Sequence, residues 1–320
     1  MPTEAIPANL LPTKNRSPSC LHRSSRRQTV RFSLKENPQY AFQDTLVKVV
    51  YNNHPLAPIS IPTETDLNNI NIDRVLDIYK DQFGYADGLH LFFVGNINID
   101  SLKPLLEQYV ASLPVKSVKP AYKDNGLRLV SGDKTFKFYK GADPKSLIVD
   151  IYHGEQKYSE DADLKADMLA QAMSIQIIDT IREKMQAIYA GSANASYIEA
   201  PYPHYIFQTA MPCGPENVDK ILAEYSREIA EYKTVGVSAT NLDKVKKAML
   251  EQRKDKMKQN GYWANNLQSI LFWGHSKKFF LNFDQKVNAV SVKDLKASAN
   301  KFFNNSNHFK AISYPEKTGE

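Results

Sequence analysis

Apolar residues recur at helical spacing in several stretches of the chain and alternate with polar ones in others. In NPQYAFQDTLVKVVYNNHP, Tyr40, Leu46, Val47, Val50 and Tyr51 fall on one helical stripe, and Asn52, Asn53 and Pro55 stop it. A proline-rich loop follows. Ile72, Val75, Tyr79 and Phe83 mark a second helix that Gly84 ends, and LHLFFVG after it reads as a buried strand. IDSLKPLLEQYVASLP gives a third helix with Leu105 and Tyr109 among its inward positions. Residues 114–132 are polar with prolines and glycines, as in a linker. Beyond them KTFKFYKG alternates like a strand, and SLIVDIYHG places Leu147, Val149 and Ile151 on one face. A long helix is predicted from Ser159 to Met185. SANASYIEA and HYIFQTAMPCG read as strands. Three helices follow, the second capped by Ser238 and the third rich in aromatics, and SVKDLKASANKFFNNSNHFKAISYP closes with a helix and a strand.

The end of the chain repeats an earlier pattern. Ile72, Val75, Tyr79 and Phe83 share their spacing with Val292, Leu295, Ala299 and Phe303, and each set leads into a short apolar stretch. A repeat of this size indicates two related α+β units rather than a solenoid. The second, from about 133 to 316, carries all its strands. The first lacks the strands that should open it.

Composition narrows the function. The 320 residues are 42% apolar and 24% charged, as in an ordinary globular protein. No stretch is apolar enough for a membrane span. The net charge of +6 is concentrated in residues 1–31, where six basic residues face one acid, so the rest of the chain is near neutral. Nucleic-acid binders carry such charge on a folded face, and none is predicted as a partner here. Residues 1–34 are expected to be a disordered or irregular leader, without the apolar core of a secretory signal.

Catalytic chemistry is sparse. None of the seven histidines lies three or four residues from another, so the two-histidine zinc clamp of a helix is missing in either orientation. His153-Gly154-Glu155 and Pro212-Cys213-Gly214-Pro215-Glu216 echo a zinc-deaminase signature, but Glu216 stands where the last cysteine belongs. Cys213 is expected to be a small buried hydrophobe. There is no nucleophile elbow and no phosphate loop.

IREKMQAIYAGSANA, residues 181–195, is the most informative stretch. It begins as a helix and ends in small residues that open a strand, with Arg182 and Tyr189 seven residues apart across the junction. On residues alone the pair reads as a solvated helix end and a tyrosine packed in a sheet. The stretch also resembles the non-catalytic C-terminal half of the pitrilysin/insulinase family of zinc peptidases. In that family a Leu-Arg-Glu-Lys-like run is followed by a tyrosine seven residues after the arginine. FVGNINIDSLKPLLEQYVASLP resembles the close of one family unit, and TFKFYKGADPKSLIVDIYHG the opening of the next. The likeness covers roughly residues 35–316.

The resemblance implies an α+β pitrilysin-type fold, with antiparallel sheets, helices packed on one face, and two related modules of which the first is truncated. Residues 35–116 would be the back of a third-type module, 117–132 a linker, and 133–316 a complete fourth-type module. Arg182 and Tyr189 would hold a peptide substrate. An arginine offers five donors and a permanent charge, and a tyrosine hydroxyl adds another. Zinc would belong to a separate catalytic half carrying His-x-x-Glu-His, leaving this chain without cofactor and inactive alone. The alternative is a structural or assembly subunit without proteolytic role. Family members of bacterial type work in the periplasm, but no export signal is seen and the compartment is left open.

Overall fold

Short polar side chains start most of the helices. Asn37, Asn71, Asn98 and Ser159 each accept a hydrogen bond from a backbone N–H in the following turn. The computed structural model describes residues 34–116, 121–304 and 306–316. In chain order the helices α1 (Pro38–Val50), α2 (Glu64–Asn68), α3 (Ile72–Phe83) and α4 (Ile99–Tyr109) precede strands β1 (Gly132–Tyr139) and β2 (Ser146–Glu155). Helix α5 (Glu160–Ile177) continues into a π-helical turn, Ile178–Lys184, followed by β3 (Ser192–Ile198) and β4 (His204–Cys213). Then come α6 (Val218–Thr234), α7 (Ala239–Lys256), α8 (Asn260–Leu271), α9 (Lys277–Leu281), α10 (Phe283–Ala289), α11 (Val292–Phe302) and β5 (Asn307–Tyr314). Ser238 caps α7 through the amide of Asn241, and a reciprocal Ser291–Asp294 box opens α11.

These elements gather into two compact units that interleave along the chain. One contains described residues 61–116, 121–122 and 257–274, and the other residues 36–60, 123–256 and 275–316. The helix α1 therefore packs with the second unit, and the aromatic-rich α8 with the first.

The second unit holds a five-stranded sheet in the order β1-β5-β2-β4-β3. All neighbours are antiparallel except β1 and β5, which run parallel from Gly132↔Asn307 to Tyr139↔Tyr314. Strand β2 is buried on both faces, because α5, α6, α7 and α11 cover one side while Phe42 and Val50 of α1 cover the other. On the larger side Leu169, Met173, Ile177, Phe207, Met211 and Leu295 are fully buried. The sheet centre carries a buried polar tie. His308 Nε2 of β5 lies 2.6 Å from Asp150 Oδ1 of β2, and its Nδ1 lies 3.0 Å from Asp133 Oδ1 of β1. The Tyr152 ring stacks on the imidazole at 4.2 Å. The expected α+β architecture is thus present, with the parallel β1–β5 pair and the opposite-face α1 as added detail.

Part of the predicted linker belongs to this second unit. Arg128 Nε and Nη2 reach Glu155 and Asp124 at 2.8 and 2.7 Å, and its guanidinium lies 3.6 Å over the Tyr202 ring. Val130 N donates to Val50 O at 2.8 Å.

The first unit differs from expectation. LHLFFVG does not form a strand: among the described residues nothing pairs with it, and Leu89, Leu91 and Phe93 are exposed. A strand exists only through a ladder partner, so alternation alone cannot make one. Likewise Leu105 and Tyr109 of α4, expected to face inward, are exposed, and α4 has no buried residue. The predicted leader, residues 1–34, lies outside the described residues except for Leu34.

Candidate substrate-binding site

The junction between α5 and β3 is shaped by a change of helix type. Over residues 178–184 the backbone winds as a π-helix, a form concentrated at functional sites. Thr180 and Ile181 of this turn are buried, whereas Arg182, Glu183 and Lys184 face outward. Gln186 then takes a left-handed φ of 54°, and the amides of Gln186 and Ala187 donate to the carbonyls of Arg182 and Ile181 at 3.0 Å. Ala187 and Ile188 plunge into the core, and Ile188 bridges Cys213 at the end of β4. Clamped on both sides, the turn projects Tyr189 into solvent at 81% exposure. The tyrosine therefore does not pack in the sheet, which removes half of the structural reading of the pair.

Arg182 stands on the outer face of the π-turn with its side chain half exposed. Its Nε lies 3.6 Å from Glu183 Oε1, a surface contact worth little in high dielectric. Among the described residues no hydrogen bond ties Arg182 to Tyr189, so both side chains have donors to offer. Gly191 closes the turn where no side chain fits: a Cβ there would approach Ile177 Cγ2 to 2.6 Å and Ile188 Cδ1 to 3.0 Å.

A cavity of about 890 Å³ begins directly after Tyr189. Ala190, Gly191 and Ser192 form one wall, Pro38 and Phe42 of α1 another, and Leu147 and Pro212 lie on the sheet face between them. Lys140 and Lys145 stand at its edge, paired with Glu36 at 3.8 Å and with Asp143 at 2.9 Å. Asp143 holds the Lys145 ammonium above its usual range, and Tyr189 adds in the same direction, so that lysine and tyrosine lie within electrostatic reach. Sequence reasoning missed this cavity. Its walls come from segments far apart in the chain, and only the run of small residues after Tyr189 hinted at open space.

Beneath the π-turn lies a buried acid that the sequence also did not reveal. Glu228 of α6 is 2% exposed and sits beside Thr180 and Gln176. Burial, helped by the nearby Glu224 charge, raises its carboxyl to about 7. Gln176 Nε2 donates to Thr180 Oγ1 at 2.9 Å and Gln176 Oε1 accepts from Asn241 at 3.2 Å, so this polar group underpins the turn that carries Arg182.

The histidines and Cys213 do not converge. Among the described residues no three His, Cys, Asp or Glu side chains are grouped to hold a metal ion. His153 bonds to Val130 O and His204 to Tyr202 O, each at 3.0 Å, while His275 lies 2.7 Å from Glu199. In the β2–β4 ladder Cys213 pairs with Ser146 and His153 with Ile206, which sets the two about 23 Å apart along the strand at about 3.3 Å per residue. Burial raises the Cys213 thiol to about 11, as suits an inert core residue. No helix among the described residues is long and apolar enough to cross a membrane.

The family model described as the peptidase M16 inactive domain matches residues 69–249. Among solved structures, the periplasmic protease PqqL of Escherichia coli superposes with a TM-score of 0.75 at 14% identity, over 92% of this chain and 32% of its own. The ferredoxin protease FusC, solved in complex with Arabidopsis ferredoxin, gives 0.68 at 14% identity over the same shares. An M16 inactive domain from Pseudomonas fluorescens gives 0.71 at 14% identity over 96% of this chain and 72% of that one. The chain spans about a third of the length of the two proteases. No curated protein matches it by sequence.

Proposed function

The chain belongs to the peptidase M16 inactive-domain family, whose modules are non-catalytic, and on that footing we propose that it is the substrate-holding half of a two-part peptidase. In this reading residues 35–116 and 133–316 are its third- and fourth-type modules. Arg182 and Tyr189 bind the main chain of a peptide, the guanidinium and the phenol hydroxyl converging on a carbonyl oxygen and opposing negative charge that grows there. The observation that carries the reading is the clamped turn itself. A buried π-turn base, the left-handed Gln186 and the inserted Ile188 fix the backbone, while Tyr189 stays 81% exposed and Arg182 half exposed. Rigid support beneath solvated donors is the arrangement of a binding site and serves no packing purpose. The ferredoxin complex of a fold relative is in keeping with a polypeptide ligand.

The zinc of the family does not fit this chain. The sequence has no His-x-x-Glu-His, and the described residues offer no group of three ligands. Metal and water activation are assigned to a partner half that carries the motif. In a reconstituted pair, Arg182→Ala is expected to lower turnover at least tenfold while the two halves still co-elute. Unchanged turnover would overturn the reading, as would stoichiometric zinc and chelator-sensitive hydrolysis by this chain alone.

A further inference from the structure

The register of the sheet builds the floor of the cavity beside Tyr189. Pro212, Leu147, Ser313 and Phe138 stand in one row across β4, β2, β5 and β1, and Ser192, Ala210, Val149 and Ala311 form the next row. Val149 and Ala311 are buried with Phe42 and Val50 of α1 on this face, and residues two apart on a strand share it. Leu147, Ala210 and Pro212 thus make the floor, with the hydroxyl-bearing Ser192 and Ser313 at its ends. Phe42, whose ring lies 5.7 Å from that of Phe138, closes one side. The loop between β1 and β2 closes another. Lys140 N donates to Tyr314 O at 3.0 Å, and Glu316 N to Gly141 O at 2.8 Å. Gly141 has a left-handed φ of 95°, and a Cβ there would approach Pro38 Cγ to 2.6 Å, so the loop sits tight on the first turn of α1. This fixes Lys140 at the cavity edge, where its side chain is 27% exposed and Glu36 Oε2 lies 3.8 Å from Nζ, beyond hydrogen-bond reach. Lys145 pairs with Asp143 in solvent. Among the charged side chains that line the cavity two lysines face one acid, and the first turn of α1 adds no acid.

We propose that this cavity takes the C-terminal residue of a bound peptide, with its side chain on the apolar floor and its free carboxylate against Lys140 and Lys145. The floor calls for an apolar side chain and the edge for an anion. One residue supplies both only at a chain end. An internal aspartate or glutamate that reached the lysines would leave Leu147, Pro212 and Phe42 uncovered. Hydrogen bonds between an ammonium and a carboxylate are among the strong ones, and burying the apolar side chain adds its own gain. At about 890 Å³ the space lies within the roughly 300–1,000 Å³ of ordinary ligand pockets. Its wall starts one residue after Tyr189, and the chain from Tyr189 to Ser192 reaches about 11 Å at most. A peptide whose carbonyl rests on Arg182 and Tyr189 therefore ends in the cavity about three residues later. The proposal rests on the peptide-holding role put forward above and names which part of the substrate that site selects.

The test is fluorescence anisotropy of the full chain with an N-terminally labelled peptide of small residues ending in leucine, made as the free acid and as the C-terminal amide. The acid is expected to bind at least tenfold tighter than the amide. Glycine in place of the terminal leucine should weaken the acid at least fivefold. Lys140→Gln combined with Lys145→Gln should bring acid and amide within twofold of each other, whereas arginine at both positions should keep the preference. Arg182→Ala should weaken acid and amide by the same factor and leave their ratio unchanged. If it weakens neither while the ratio persists, the role of Arg182 falls and the cavity proposal stands, so the two failures are separable. Equal affinity for acid and amide would overturn the proposal, as would no measurable binding of the acid or a preference that survives the double glutamine substitution. An amidated peptide ending in aspartate that binds as tightly as the free acid would assign the edge to acidic side chains and overturn it too.

Discussion

Glu228→Gln should make the protein more stable at neutral pH and leave it unchanged in acid. The carboxyl is buried at 2% exposure and titrates at about 7 in the folded chain, against 4.5 when unfolded. Below pH 4.5 it is protonated in both states. Between pH 4.5 and 7 the unfolded chain releases its proton while the folded chain keeps it, so the folded state binds more protons and stability falls as pH rises. Above pH 7 the loss is complete. At about 1.4 kcal/mol per pH unit, the window amounts to about 3 kcal/mol at most. Glutamine keeps the shape and never ionises, so the variant should match the wild type near pH 4 and exceed it by about 2–3 kcal/mol at pH 8. Asp163, raised to about 6 by burial and by Asp167, slopes the same way in both proteins and cancels in the difference. Urea unfolding of both proteins at pH 4, 5, 6, 7 and 8 reads this directly. A difference between them that stays constant from pH 5 to pH 8 would refute the reasoning.

Three further outcomes follow from named contacts. Gly191→Ala should cost about 1–3 kcal/mol in urea unfolding and weaken peptide binding, because its Cβ would press on Ile177 and Ile188, which hold the turn under Tyr189. His308→Ala should cost about 1–3 kcal/mol in the same assay, since the Asp150 carboxyl, 1% exposed, would lose its 2.6 Å hydrogen-bond partner inside the sheet; unchanged stability would refute this. Tyr225→Phe should cost about 1–2 kcal/mol by stranding Thr209, whose hydroxyl lies 2.7 Å from the phenol oxygen in the core.

What the sequence made legible was local. The start of α7 was readable because the capping side chain lies beside the amide it serves, as Ser238 does for Asn241. Strands β1 to β5 were readable because each follows a breaker and alternates or is uniformly apolar. Phe42 was not placed on the α1 stripe, although it is 1% exposed, because the burying surface is a sheet face assembled from β2 and β5 far along the chain. The π-turn under Arg182 was invisible for a related reason. Nothing in IDTIREK distinguishes a bond to the fourth residue back from a bond to the fifth, and the burial of Thr180 and Ile181 in this turn depends on residues distant in the chain. The Arg182–Tyr189 pair was found by its resemblance to a family motif, and its exposure by the structure alone.

The repeated helix explains why these limits fall where they do. Val292, Leu295, Ala299 and Phe303 have the same spacing as Ile72, Val75, Tyr79 and Phe83, and both helices are amphipathic. Leu295, Ala299 and Phe303 are buried and Val292 is half-buried, whereas the other set is open, so spacing determines which face a helix offers and not whether anything meets it. The same holds for strands: β5 and residues 89–94 both follow such a helix, yet only β5 has neighbours to exchange hydrogen bonds with.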